Sequence, residues 1–119
     1  MIFPEAGLLT LGDRNRLYLI RLLLDRPFSV GELTTITTLG QSLVSHHLAI
    51  LARNGWVDAE RDGRRRVYRV VADGSPLSPL ASWIKRYIQL PREWDNKASV
   101  IPAPAKPPQQ SGDLEDYLL

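Results

Sequence analysis

The chain contains no cysteine, which excludes disulfides, thiolate metal ligands, a cysteine nucleophile and a thiol redox switch. Its two histidines, His46 and His47, are adjacent; neighbouring helical positions point about 100° apart, so the pair is poorly placed to chelate one ion. There is no glycine-rich phosphate loop, no signal-peptide pattern and no apolar run long enough to span a bilayer. These shortages argue against an enzyme, a metal or other cofactor and a membrane partner, and the expectation is a cytoplasmic protein. Acidic residues are scarce where the fold should lie: residues 1–97 carry 14 Lys and Arg against 10 Asp and Glu, whereas residues 98–119 carry 1 against 3. With 119 residues, 44% of them apolar, the chain makes one domain, and a core that small favours dimerisation.

The richest segment is Gly40-Gln41-Ser42-Leu43-Val44-Ser45-His46-His47-Leu48-Ala49-Ile50-Leu51. Placed at 100° steps, Val44, Leu48 and Leu51 share one helical face, while Ser42, Ser45, His46, Ala49 and Arg53 share the opposite one, with Gln41 beside them. Short hydrogen-bonding side chains on the outward face suit a helix whose backbone comes close to base edges in a major groove. His47, at the edge of the core face, is expected to be a packing residue with one ring nitrogen hydrogen-bonded. Upstream, Ser29-Val30-Gly31-Glu32 has the Ser-x-x-Glu pattern of a capping box, which starts a short helix running to about Thr38. Four threonines in residues 34–38 make that helix a weak former that depends on tertiary packing. Helix, turn and helix then follow at the spacing of the DNA-binding motif.

Downstream, Trp56 to Arg61 and Arg64 to Val71 are β-prone runs around Asp62-Gly63, a strong signal for a two-residue hairpin turn. Arg61, Arg64, Arg65, Arg66 and Arg69 crowd the tip of this hairpin, residues 61–69, against the single acid Asp62. Such charge protects a hairpin from edge-to-edge pairing, and beside a helix-turn-helix it also fits phosphate clamping. Base contacts are expected from Gln41, Ser42, Ser45 and His46, and phosphate contacts from Arg53, Arg61, Arg64, Arg65 and Arg66.

Two further helices serve as scaffold. Asp13 caps one with a core stripe of Leu17, Ile20, Leu23 and Leu24, ending near Asp25-Arg26 before Pro27. A last helix, with Ser78 as cap and Pro79 in its first turn, presents Leu80, Trp83, Ile84, Tyr87 and Ile88 before Pro91 stops it. Burying five such side chains contributes roughly 7–15 kcal/mol before ordering entropy, so the stripe needs a partner surface. A dimer interface formed with Met1 to Leu9, with Trp94 folding back over it, is the expectation. Residues 98–112, with Pro102, Pro104, Pro107 and Pro108, read as a disordered linker, and residues 113–119 as an acidic tail suited to a protein partner.

Taken together these residues resemble the ArsR-type winged helix-turn-helix regulators. The resemblance runs through Leu11-Gly12-Asp13-Arg14-Asn15-Arg16-Leu17, Ile20-Arg21-Leu22-Leu23, Ser29-Val30-Gly31-Glu32-Leu33, Ser45-His46-His47-Leu48-Ala49-Ile50-Leu51 and Gly63-Arg64-Arg65 with Tyr68, over roughly residues 8 to 90. It implies a mainly α fold with a small β-hairpin, and a homodimer joined through its terminal helices that binds an inverted repeat in double-stranded DNA near a promoter, usually to repress. The alternative is a DNA-binding module that works with a protein partner through its tail, as an antitoxin or corepressor-dependent protein does. The chain departs from the family at informative places. Metal-sensing members carry cysteines after the Glu-Leu of the first motif helix, where Thr34 and Ile36 stand here, and the last helix lacks the His and carboxylate that other members use. Gly40 replaces the usual Ser cap, and Thr38 stands where a turn glycine is common.

Overall fold

The computed structural model describes residues 4–102. The elements run α1 (Pro4–Thr10), α2 (Arg14–Asp25), β1 (Phe28–Ser29), α3 (Val30–Thr37), α4 (Gln41–Arg53), β2 (Val57–Asp62), β3 (Arg65–Val70), α5 (Ser78–Tyr87) and α6 (Arg92–Val100). This is a mainly helical fold with a three-stranded antiparallel sheet ordered β1-β3-β2.

Asp13 starts α2 as its sequence position suggests: the carboxylate accepts the Asn15 and Arg16 N–H groups at 2.8 and 3.2 Å. The buried side of α2 is Leu19, Ile20, Leu22 and Leu23, with Leu17 and Leu24 only half-buried. The expected stripe is therefore shifted, because α2 is central and packs against α4, α5 and β3 at once. In α3 the capping box closes both ways, Glu32 N–H to Ser29 Oγ at 3.1 Å and Ser29 N–H to Glu32 Oε1 at 2.9 Å. The threonines turn their hydroxyls back onto the helix, Thr34 to the Val30 carbonyl at 2.8 Å and Thr35 to the Gly31 carbonyl at 3.2 Å. Fully buried Leu33 and Ile36 hold this weak former in place. The helix ends on Thr38 at φ 57°, a left-handed conformation that a β-branched residue adopts only under strain.

β1 is too short to show a periodicity and was not visible in the sequence. It pairs Phe28 with Tyr68 and Ser29 with Val67. In the hairpin, Asp62 pairs with Arg65, so the turn is Gly63-Arg64 rather than Asp62-Gly63. Gly63, at φ 64°, supplies the positive dihedral at its first position, as a II′ turn requires. Trp56 enters the core fully buried and donates its indole N–H to the Gly7 carbonyl at 2.8 Å, fastening α1 to the domain. A Cβ on Gly7 would lie 2.8 Å from Leu77 Cδ1 and 3.1 Å from the Asn54 carbonyl, so only glycine allows this approach.

The C-terminal part differs most from expectation. Ser78 is the first residue of α5 rather than its cap; the cap is Leu77, which makes no side-chain bond, and Pro79 lies in the first turn. The helix stops at Tyr87 because Ile88 is extended. An additional helix, α6, continues to Val100, past the boundary expected at residue 97. It packs against α3, and Trp94 meets Tyr18 of α2 edge-on, with ring centroids 5.6 Å apart. Trp94 thus packs on the α2–α3 side instead of folding over a dimer layer. Arginines of α2 and its C-cap hold this return: Arg21 Nε donates to the Ile88 carbonyl at 2.8 Å and Arg26 Nη2 to the Ile101 carbonyl at 3.1 Å. The rest of the expected linker and the acidic tail, residues 103–119, lie outside the described residues.

Candidate nucleic-acid interface

α4 divides as its spacing predicts. Val44, His47, Leu48 and Leu51 are buried, while Gln41, Ser42, Ser45, His46, Ala49 and Arg53 are exposed. The N-terminus is open: Gly40 provides no side-chain cap, and nothing lies within 4 Å of the position its Cβ would take. Its first N–H groups and the positive end of the helix dipole face outward with the short polar side chains. Periodicity alone gives Leu43 no role. It is 42% exposed on this same helix, and its only sequence signal was an apolar residue off the Val44, Leu48, Leu51 stripe.

A polar cluster fixes the inward side. Arg16 Nη1 donates to His47 Nδ1 at 3.2 Å, which leaves the ring proton on Nε2, and Arg16 Nε donates to the Thr10 carbonyl at 2.7 Å. One guanidinium thereby joins α1, α2 and α4. Burial lowers the His47 pKa below its ordinary value, the charges of Arg16 and His46 add to this, and Asp13 opposes it. Burial raises the Asp13 carboxyl, but the N–H groups of Arg16 and Asn15 and the charges of His47 and Arg16 outweigh it, so the net shift is down.

The wing arginines are not equivalent. Arg65 is tied to Glu32 of the capping box at 3.1 Å, and Arg69 approaches Glu60 at 4.0 Å. Arg65 is therefore not a free cation, contrary to its assignment with the others. Arg61, Arg64 and Arg66 are exposed and have no ion-pair partner among the described residues. Arg61 and Arg66 are directly opposed across the strands, a like-charge pair that an anion between them would stabilise.

The apolar stripe of α5 splits into two parts. Ile84 is 1% exposed and belongs to the core of its own domain, with Leu80 and Ile88 half-buried against that core. Ile84 is therefore no interface residue. Trp83 and Tyr87 remain 52% and 58% exposed, their ring centroids 5.3 Å apart, and Leu8 and Leu9 on α1 are exposed as well. Among the described residues no three His, Asp or Glu side chains gather as metal ligands, and no helix is long and apolar enough to cross a membrane.

This winged arrangement has known counterparts. Residues 13–59 match the family described as bacterial regulatory protein, arsR family. The transcriptional activator HlyU of Vibrio cholerae is 38% identical over 58 residues, covering 49% of this chain and 54% of HlyU. The HTH-type transcriptional regulator YgaV of Escherichia coli is 38% identical over 66 residues, 55% of this chain and 67% of YgaV. The structure of reduced HlyU superposes with a TM-score of 0.64 at 30% identity, over 71% of this chain and 88% of that one. The chain belongs to the ArsR family. The repressor BigR of Xylella fastidiosa has the same fold, with a TM-score of 0.61 at 29% identity over 69% of this chain and 79% of BigR. Within the ArsR family these relatives are transcriptional regulators rather than enzymes. The aligned sequence spans about half the length of HlyU, the first of them. The matched segment holds α2 through the first half of β2; the arginine-rich turn, β3, α5 and α6 lie beyond it.

Proposed function

We propose that this ArsR-family chain is a sequence-specific, dimeric DNA-binding regulator that presents α4 to the major groove and the wing to phosphates. The observation that carries this reading is the outward face of α4, where Gln41, Ser42, Ser45, His46 and Arg53 are all solvent-facing while the opposite face is sunk in the core. Gln41, Ser42, Ser45 and His46 read bases; Arg53, Arg61, Arg64 and Arg66 hold phosphates, and Arg65 joins them only by leaving Glu32. The dimer forms through Trp83 and Tyr87 with Leu8 and Leu9, and Leu80 and Ile88 border that contact. Two-fold symmetry then makes the operator an inverted repeat with half-site centres about 34–36 Å apart.

Repression is the proposed output, since a bound dimer blocks a promoter without further contacts. Relatives carry both signs, HlyU being named an activator and BigR a repressor. The release signal is not the conventional thiolate metal site, because Thr34 and Ile36 occupy those positions on α3, and with no cysteine it is not a thiol switch. The test is fluorescence anisotropy of the purified chain with a duplex from upstream of its own gene and with a shuffled duplex, from 50 to 200 mM salt. A preference of about a hundredfold or more for its own fragment supports the reading. Equal, salt-labile binding to both overturns it and turns attention to a protein partner of the tail.

A further inference from the structure

We infer that Leu43 is a specificity-determining residue that reads the C5 methyl group of a thymine in each half-site. This rests on the proposed presentation of α4 to DNA and adds an apolar contact to the polar ones. Large apolar side chains exposed among the described residues include Leu8, Leu9, Trp83, Tyr87, Val71 and Val100, all away from α4; Leu43 alone lies on that helix. It is the third residue of α4, and in a helix-turn-helix the N-terminal residues of the second helix approach base edges. Its neighbours on the helix surface are His46 at i+3 and His47 at i+4, so it lies between the outward face and the anchored one.

An isobutyl group offers no donor or acceptor. Along the major-groove edge, G, C and A present only hydrogen-bonding groups, whereas thymine adds a methyl group. Set against thymine, Leu43 buries apolar surface on both sides. Set against any other base, it strips water from a polar edge and returns nothing, so it selects both for thymine and against the alternatives. Ser42 and Ser45, short and exposed, let the helix approach closely enough for that contact.

The experiment first selects duplexes from a random library with the full chain, then replaces each thymine of the selected site by deoxyuracil, which removes only the methyl group. The expected result is one thymine per half-site whose replacement weakens wild-type binding about fourfold, the worth of roughly one buried methyl group, and about 15-fold when both are replaced. Leu43→Ala should bind the thymine site more weakly and lose most of the distinction between thymine and deoxyuracil, with its dimerisation unchanged. The inference is overturned if no thymine responds, if Leu43→Ala keeps the full distinction, or if it changes the oligomeric state. A library that yields no preferred sequence overturns the regulator reading itself, and this inference with it.

Discussion

α4 and α5 are both amphipathic helices with one side in the same core, yet their other sides are opposites. α4 exposes Gln41, Ser42, Ser45, His46 and Arg53, whereas α5 exposes Trp83 and Tyr87, with Lys85 and Arg86 between them in the chain. The inward faces do the same job, with Leu48 and Leu51 on one helix and Ala81 and Ile84 on the other completing a single core. The outward faces separate the roles. Polar residues with short side chains suit a hydrated groove of acceptors and donors, and adjacent exposed aromatics suit a second apolar surface.

The strongest way to break this comparison is Trp83→Asp. An aromatic anchor at a two-fold interface contributes at least about 2 kcal/mol in each copy, so the dimer should weaken by roughly a thousandfold. Sedimentation should show folded monomers, and DNA binding should be lost with the dimer; a mutant that stays dimeric would place the interface elsewhere. Next in size, Ile84→Ala should cost about 2–5 kcal/mol of stability, as a buried aliphatic truncation does. Because Ile84 lies in its own domain's core, urea denaturation should show that loss at every protein concentration. A loss confined to concentrations where the dimer forms would return Ile84 to the interface.

The same contrast shows what could be read from the sequence. The helix caps at Asp13 and Ser29, the two faces of α4 and the basic hairpin were legible because each is a local pattern: Asp13 and Ser29 bond to residues two or three positions away, and the α4 stripe is periodic. The parts that were missed depend on distant partners. β1 exists because Phe28 and Ser29 meet Tyr68 and Val67, and α6 docks on α3 through contacts far apart in the chain. Within the candidate site, no local pattern distinguishes Arg65 from its neighbours; its contact with Glu32, distant in the chain, does. The α5 stripe is uniform by periodicity, and only packing distinguishes buried Ile84 from exposed Trp83.

Two smaller effects sharpen the picture of the α4 scaffold. The folded protein disfavours the charged form of His47, so its contribution to stability is complete above the unfolded value of about 6.5 and is lost as pH falls through the lower folded value. Thermal stability should therefore drop as pH falls below about 6.5, and His47→Gln, which keeps an acceptor for Arg16, should flatten that drop. Equal pH dependence in the two proteins would remove His47 from this role. Smallest of all, Thr38→Gly should raise stability by about 0.5 kcal/mol. Relief of left-handed strain exceeds the added freedom of the unfolded glycine, less the Thr38 hydroxyl bond to the Thr37 carbonyl. A lower melting temperature would show that this bond matters more than the strain.

The central claim is that α4 carries sequence recognition while the wing carries charge. It is tested most directly by titrating wild type, Gln41→Ala and Arg64→Ala against the selected duplex and a shuffled one over a range of salt. The account predicts that Gln41→Ala loses about 1–3 kcal/mol on the selected duplex alone. Arg64→Ala should weaken both duplexes alike and reduce the salt slope by about 1 or 2 in a dimer. If Gln41→Ala weakened both duplexes equally, or Arg64→Ala left the salt slope intact, the division of labour between the helix and the wing would be contradicted.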